Sequence, residues 1–295
     1  MTRPIVALLS KLRSGAVAAK AVGSVAAVLV VLAAGCGVHG AHPASSGAQL
    51  APARRLVFAD EFRGSSLNHR KWTTCYWWNN GGCTNVGNKE KQWYLPQNVR
   101  VSRGALHLVT RRKTVRGTDG VTYPYSSGMV TTGRARENHT LRPRFAFTYG
   151  RVAARMRAPS GRGLWSALWL LPLSQQSRPE IDVIEILGHQ PRRLHVHFHY
   201  VQDGQDKSVG RGWMGAHVSR RWHVYSVDWS PRKIVWSVDG RAQLRFTRVS
   251  SIPHEPMYML FNLAVGGEWP GDPTRSTPFP SSVDVDYVRV WQRGR

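Results

Sequence analysis

From residue 56 onward the chain is built of short segments in which apolar residues recur at every second position, and that period decides most of what it can fold into. RVAARMRA sets Val152, Ala154 and Met156 on one face and Arg151, Arg155 and Arg157 on the other. RLHVHFHY sets Leu194, Val196 and Phe198 against His195, His197 and His199. KIVWSVDG runs into an Asp239-Gly240 turn, and VDVDYVRVW closes the chain. A period of two is the period of a strand with one buried face, whereas a helix repeats every 3.6 residues. No segment past the N-terminal region keeps a helical stripe. Many short alternating segments, punctuated by Gly, Pro, Asn and Asp, predict an all-β sandwich. With no linker and no internal repeat between residues 56 and 293, a single domain is expected.

The N-terminal region has a different texture. Arg3, Lys11, Arg13 and Lys20 form a basic head, and residues 21–34 are a nearly pure Ala/Val/Leu run. That run has the length of a signal-peptide core and is short for a membrane span. It ends in Leu32-Ala33-Ala34-Gly35-Cys36, small residues before a cysteine, which resembles a bacterial lipoprotein cleavage site. Residues 1–35 are therefore expected to be a lipoprotein-type signal peptide, with Cys36 carrying the lipid. An ordinary secretion signal cut slightly later is the alternative. Residues 36–55, rich in Ala, Gly, Ser and Pro, read as a flexible tether. The expected location is extracytoplasmic, on a membrane lipid anchor or secreted, with the membrane touched through the anchor alone. Setting Cys36 aside leaves Cys75 and Cys83 in CYWWNNGGC. An even remainder in an exported chain predicts a disulfide closing that loop.

A net charge of +24 raises the question of nucleic acid. The arginines are scattered rather than gathered in a stripe, and no nucleic-acid-binding motif is present. A solvated basic surface is the reading adopted, with no nucleic-acid partner and a monomeric chain expected.

Against that basic background, three of only 17 acidic residues fall within six positions, in E-I-D-V-I-E at 180–185. In a strand, Glu180 and Asp182 share a face. Glu185 is at an odd offset from Glu180 and would point away, unless one extra residue is inserted. A β-bulge at about Val183-Ile184 restores the parity, and bulges are common beside active sites, where they re-aim side chains. Two carboxylates so placed suit the ~5–5.5 Å separation of a retaining glycosidase. A strand with solvent-facing acids and a Ca²⁺ site are the other readings of the same residues, although Ca²⁺ loops favour Gly, Asn and Asp over Ile and Val.

This stretch resembles the E-x-D-x-x-E signature of glycoside hydrolase family 16 in the bulged form of its laminarinase-like branch. FADEFRGSSLNHRKWT, NKEKQWYLPQNVRV, FAFTYGRVAARMRAPSGRGLWSALWLLP, ILGHQPRRLHVHFH, FNLAVGGEWPGDP and VDVDYVRVWQ are similar to the family's successive segments. The resemblance covers about residues 56–292. It implies a β-jelly-roll sandwich of the concanavalin A-like kind, with a sugar cleft across one sheet. It implies Glu180 as nucleophile, Asp182 as its assistant and Glu185 as acid/base. The implied activity is endo-hydrolysis of a β-1,3-linked glucan with retention. Mixed-linkage glucan, agarose-type galactan and transglycosylation remain as alternatives, beside a non-catalytic carbohydrate-binding wall protein.

The resemblance also assigns the surroundings. Trp165 and Trp169, four apart and so on one strand face, and Trp269 in GGEWPGDP are expected to contact sugar. His199 is expected beside the catalytic centre, and Asn88, Arg134 and Asn262 at the cleft or its rim. Trp77 and Trp78 in the cysteine loop would extend the cleft or pack. No cofactor is required; a structural Ca²⁺ at Glu61 and Asp286 is the one ion the resemblance allows. Zinc on His195, His197 and His199 is not expected, because three alternate positions span ~13 Å at ~3.3 Å per residue. Val196, His197 and Glu268 depart from the small, hydroxylated or Asn residues usual in the family.

Overall fold

The computed structural model describes residues 54–76, 82–134, 142–174, 177–215 and 217–294. The expected signal peptide, Cys36, most of the tether, and Trp77 and Trp78 lie outside these residues. Among the described residues no helix is long and apolar enough to cross a membrane. Those residues fall in one compact unit, Leu50–Arg295.

In chain order the strands are β1 (Arg54–Asp60), β2 (Gln92–Tyr94), β3 (Val99–Ser102), β4 (Ala105–Thr110), β5 (Val115–Arg116), β6 (Thr122–Tyr123), β7 (Tyr125–Ser127), β8 (Met129–Thr131), β9 (Gly150–Arg157), β10 (Leu164–Pro172), β11 (Glu180–Leu187), β12 (Arg193–Gln202), β13 (Gln205–Met214), β14 (His223–Ser230), β15 (Lys233–Val238), β16 (Arg241–Phe246), β17 (Met257–Val265) and β18 (Ser281–Arg293). They form the expected all-β jelly-roll sandwich. One sheet has the order β16-β15-β14-β9-β18-β4-β3, with β1 also paired to β18. The other has the order β13-β12-β11-β10-β17-β8. β1 begins at Arg54, two residues before the expected domain start, because Arg54 and Arg55 pair with Arg293 and Gln292, and Arg54 Nη1 meets Asp228 Oδ1 at 2.5 Å.

The alternation of β9 works as read. Val152, Ala154 and Met156 are fully buried between the sheets. On the outer face, Arg151, Arg155 and Arg157 reach Asp228, Asp286 and Asp284 at 2.9, 2.6 and 2.8 Å. Part of the scattered basic charge thus resolves into a cross-strand ladder. Such half-exposed pairs each contribute ~1 kcal/mol or less, and their value is mainly register.

Asp239 and Gly240 both have positive φ (48° and 78°), the backbone of the tight hairpin turn that joins β15 to β16. β13 is the strand that the alternation did not mark. Its residues are mostly exposed, and it is held by the Asp203-Gly204 turn and full antiparallel pairing with β12.

β11 sits in the middle of its sheet and is buried on both faces. Ile181, Val183, Ile184 and Ile186 all enter the core. Two consecutive inward residues, Val183 and Ile184, are the signature of the bulge. The register slips between Asp182 and Glu185 against β12, and between Leu168 and Trp169 against β10. The carbonyl of Asp182, at the bulge, accepts a hydrogen bond from the Trp236 indole of the opposite sheet at 2.9 Å. A buried carbonyl at a break in a ladder needs such a partner.

Candidate active site

The bulge places Glu180, Asp182 and Glu185 together in one cleft of about 1080 Å³, lined also by Trp165, Trp169, His199, Trp269, Asn88 and Asn262. Across the β11–β12 ladder each carboxylate residue faces a histidine: Glu180 pairs with His199, Asp182 with His197 and Glu185 with His195. The side chains lean along the strands. His199 Nε2 lies 3.3 Å from Asp182 Oδ2, and His197 Nδ1 lies 2.5 Å from Glu185 Oε2. The rings follow one another down β12, with centroids 6.2 Å apart from His195 to His197 and 5.7 Å from His197 to His199.

These imidazoles have room because β13 carries glycine opposite them. His197 pairs with Gly210 and His195 with Gly212. A Cβ on Gly210 would lie 2.0 Å from His197 Cδ2, and one on Gly212 would lie 2.9 Å from His195 Nδ1.

Burial dominates the electrostatics. It pushes Glu180 up to about 8, the nearby Asp182 charge adds to this, and His199 and Arg178 oppose it. Asp182 and Glu185 are raised well above the ordinary carboxylate range, first by burial and then by the charges of Glu185 and Glu180 respectively. The same burial lowers His197 and His199, and takes His195 down to about 4. Arg178 and His199 favour the charged form of Glu180, whereas burial and the charge of Glu180 favour the protonated form of Glu185. Arg178, whose Nη1 lies 3.1 Å from Glu180 Oε2, carried no sequence signal.

The floor of the cleft is a hydrogen-bonded chain. Trp169 Nε1 donates to Asn262 Oδ1 at 2.9 Å, and Asn262 Nδ2 donates to the Tyr94 hydroxyl at 3.0 Å. Tyr94 donates to buried Glu90 at 3.3 Å, which also accepts from Asn88 at 3.1 Å and Gln92 at 2.5 Å. Asn88 and Asn262 therefore lie in the cleft wall as expected, with side chains already engaged. Trp169 is only 8% exposed and packs against Tyr76, so it belongs to the floor. Trp269 is 38% exposed and meets Trp165 edge-on at 5.2 Å and His195 at 5.0 Å. Its loop is tied to the segment before β2 by Lys89–Glu268 and Lys91–Asp272 contacts of 2.5 and 2.6 Å.

Arg134 is not among the lining residues; its Nη1 donates to the Leu173 carbonyl at 3.2 Å, just past Leu171 and Pro172 of the cleft wall. Glu61 and Asp286 are each engaged by an arginine. Arg289 holds Glu61 through two bonds of 2.7 and 2.8 Å, and Arg155 holds Asp286 at 2.6 Å. The Cys75–Cys83 disulfide is present as predicted.

A bulged strand that presents three carboxylates to an aromatic-walled cleft marks a glycoside hydrolase of the β-sandwich class. The family model "Glycosyl hydrolases family 16" matches residues 96–289, and the chain belongs to that family. An endo-1,3-1,4-beta-glycanase of Rhizobium meliloti is 33% identical over 250 residues, covering 80% of this chain and 51% of the relative. This chain thus spans about half the length of that protein. A beta-glucanase of Rhodothermus marinus is 32% identical over 285 residues, covering 88% of this chain and 91% of the relative. Among solved structures, the endo-beta-1,3-glucanase of Pyrococcus furiosus superposes with a TM-score of 0.71 at 31% identity, over 82% of this chain and 95% of that one.

Proposed function

We propose that the chain is a retaining endo-glycosidase acting on β-1,3-linked glucan. The observation that carries this reading is the β11 bulge, which turns Glu180, Asp182 and Glu185 to one cleft and gives each a different environment. In the first step the Glu180 carboxylate attacks the anomeric carbon, the glycosidic C–O bond breaks, and Glu185 gives its proton to the leaving oxygen. Asp182, between them, holds Glu180 in place. In the second step Glu185 takes a proton from water, whose oxygen displaces Glu180 from the anomeric carbon. Trp165 and Trp269 offer apolar faces to the sugar rings.

The substrate choice rests on the names of the relatives. The 1,3-1,4 activity named for the rhizobial relative favours mixed-linkage glucan as the second reading. Export on a lipidated Cys36 is part of the same proposal and is supported by the sequence of residues 21–36. The test is reducing-sugar release from laminarin, lichenan, agarose and carrageenan by the protein and by its Glu180→Gln variant. Release from laminarin that the variant lacks, with the β-anomer formed first by NMR, is the expected result. Silence on every polymer, or an inverted first product, would rule the reading out.

A further inference from the structure

We propose that Asp182, His197 and His199 form a binding site for a divalent transition-metal ion of the zinc type, and that such an ion shuts the active site. The proposal rests on the reading of Asp182 as part of the catalytic centre. One donor atom from each of the three residues can be chosen so that all lie within 4.8 Å of one another. His199 Nε2 and Asp182 Oδ2, 3.3 Å apart, already have the spacing of two ligands on one tetrahedral ion, ~3.3 Å for bonds of ~2.0–2.1 Å.

The arrangement follows from strand register rather than from the histidine run. Three histidines at alternate positions of β12 are too spread for one ion. The ladder replaces His195 with Asp182, which lies directly across from His197 on β11. Gly210 leaves the space that holds the His197 ring beside this carboxylate. Asp182 is 3% exposed, and among the described residues its Oδ2 accepts no hydrogen bond while lying against His199 Nε2.

Two imidazoles and one carboxylate are the donors zinc, copper and nickel favour, whereas calcium and magnesium prefer all-oxygen shells. The site opens into the cleft, so a fourth position is left for water or a sugar hydroxyl. An ion there takes Asp182 away from Glu180. Through His197 it also disturbs Glu185, so that one ion reaches all three carboxylates.

The experiment is a calorimetric titration of metal-free protein with ZnCl₂, repeated with MgCl₂ and CaCl₂. One zinc per chain and no magnesium or calcium are expected. His197→Ser and His199→Gln should each weaken zinc by more than the ~10–100-fold that loss of an outer-shell partner costs, while His195→Gln binds as the parent does. Co²⁺ bound to the parent protein should show the visible absorption of a four-coordinate N/O site, a readout independent of any variant's folding. Zinc should also stop sugar release, reversed by chelator. No stoichiometric binding, or binding that survives both histidine substitutions, overturns the proposal. Binding is measured without turnover, so failure of the glucanase reading would leave this result standing and separately readable.

Discussion

The indole N–H of Trp236, in the opposite sheet, donates to the main-chain carbonyl of Asp182 at 2.9 Å and so fixes β11 from behind. The bond lands on the residue where the β11 register slips. It ties the position of the bulge to the packing of the sandwich core. Trp236→Phe keeps most of the apolar volume and leaves that carbonyl unsatisfied. We expect a loss of about 1–3 kcal/mol in denaturant unfolding, together with a fall in kcat at unchanged KM. Parent-like stability and kcat would show that the bulge holds without the indole.

Arg178 works with His199 against the burial of Glu180. Its charge opposes the desolvation that pushes Glu180 up to about 8. Removing that charge raises Glu180 further, so ionisation then needs a higher pH. In Arg178→Gln the acid limb of kcat/KM should therefore move to higher pH, with the plateau lowered. An acid limb that stays in place, or moves to lower pH, would mean another group controls it.

Glu180 also costs stability. Its acidity in the folded chain is weaker than the ordinary carboxylate value of 4.5. Between that value and about 8 the folded state holds a proton that the unfolded state has lost, so stability falls as pH rises through this window. Glu180→Gln removes the effect. Its Tm should exceed the parent's near neutral pH, and the two should converge near pH 4, below both values. A gap that is constant with pH would contradict the assignment.

Trp269 is the exposed member of the aromatic wall, standing edge-on to Trp165. A ring face lost from a sugar contact is worth about 1 kcal/mol. Trp269→Ala should raise KM for a soluble glucan roughly fivefold, at the same ~1 kcal/mol, with kcat little changed. An effect on kcat alone would move this side chain from sugar platform to support of His195 and His197, which it also touches.

The catalytic strand was legible because chemistry is concentrated there. Three acids of 17 in six positions, set among Ile and Val, leave few uses other than a buried site, and parity alone located the extra residue near Val183. The disulfide followed from cysteine count. Arg178 was not legible, since one arginine among 41 basic residues carries no pattern. Nor was the Glu90–Tyr94–Asn262 chain, whose members meet only when β17 lies beside the segment around β2. Arg134, Glu61 and Asp286 were placed by family position alone. Each is held by local partners that the alternation of a strand does not reveal.

Gly210 makes the histidine face conditional on its neighbour. With a Cβ there the His197 ring would have to swing away, whereas glycine there tolerates a small residue or a large one at position 197. The two positions are therefore coupled: the imidazole in this pose requires glycine at 210, whereas glycine at 210 does not require the imidazole. A relative with a side chain at the position of Gly210 should not carry a histidine in this pose. Reversing His197 to serine, by contrast, is open to the chain at any time. The neighbouring strand thus decides which side chains position 197 can hold in this pose.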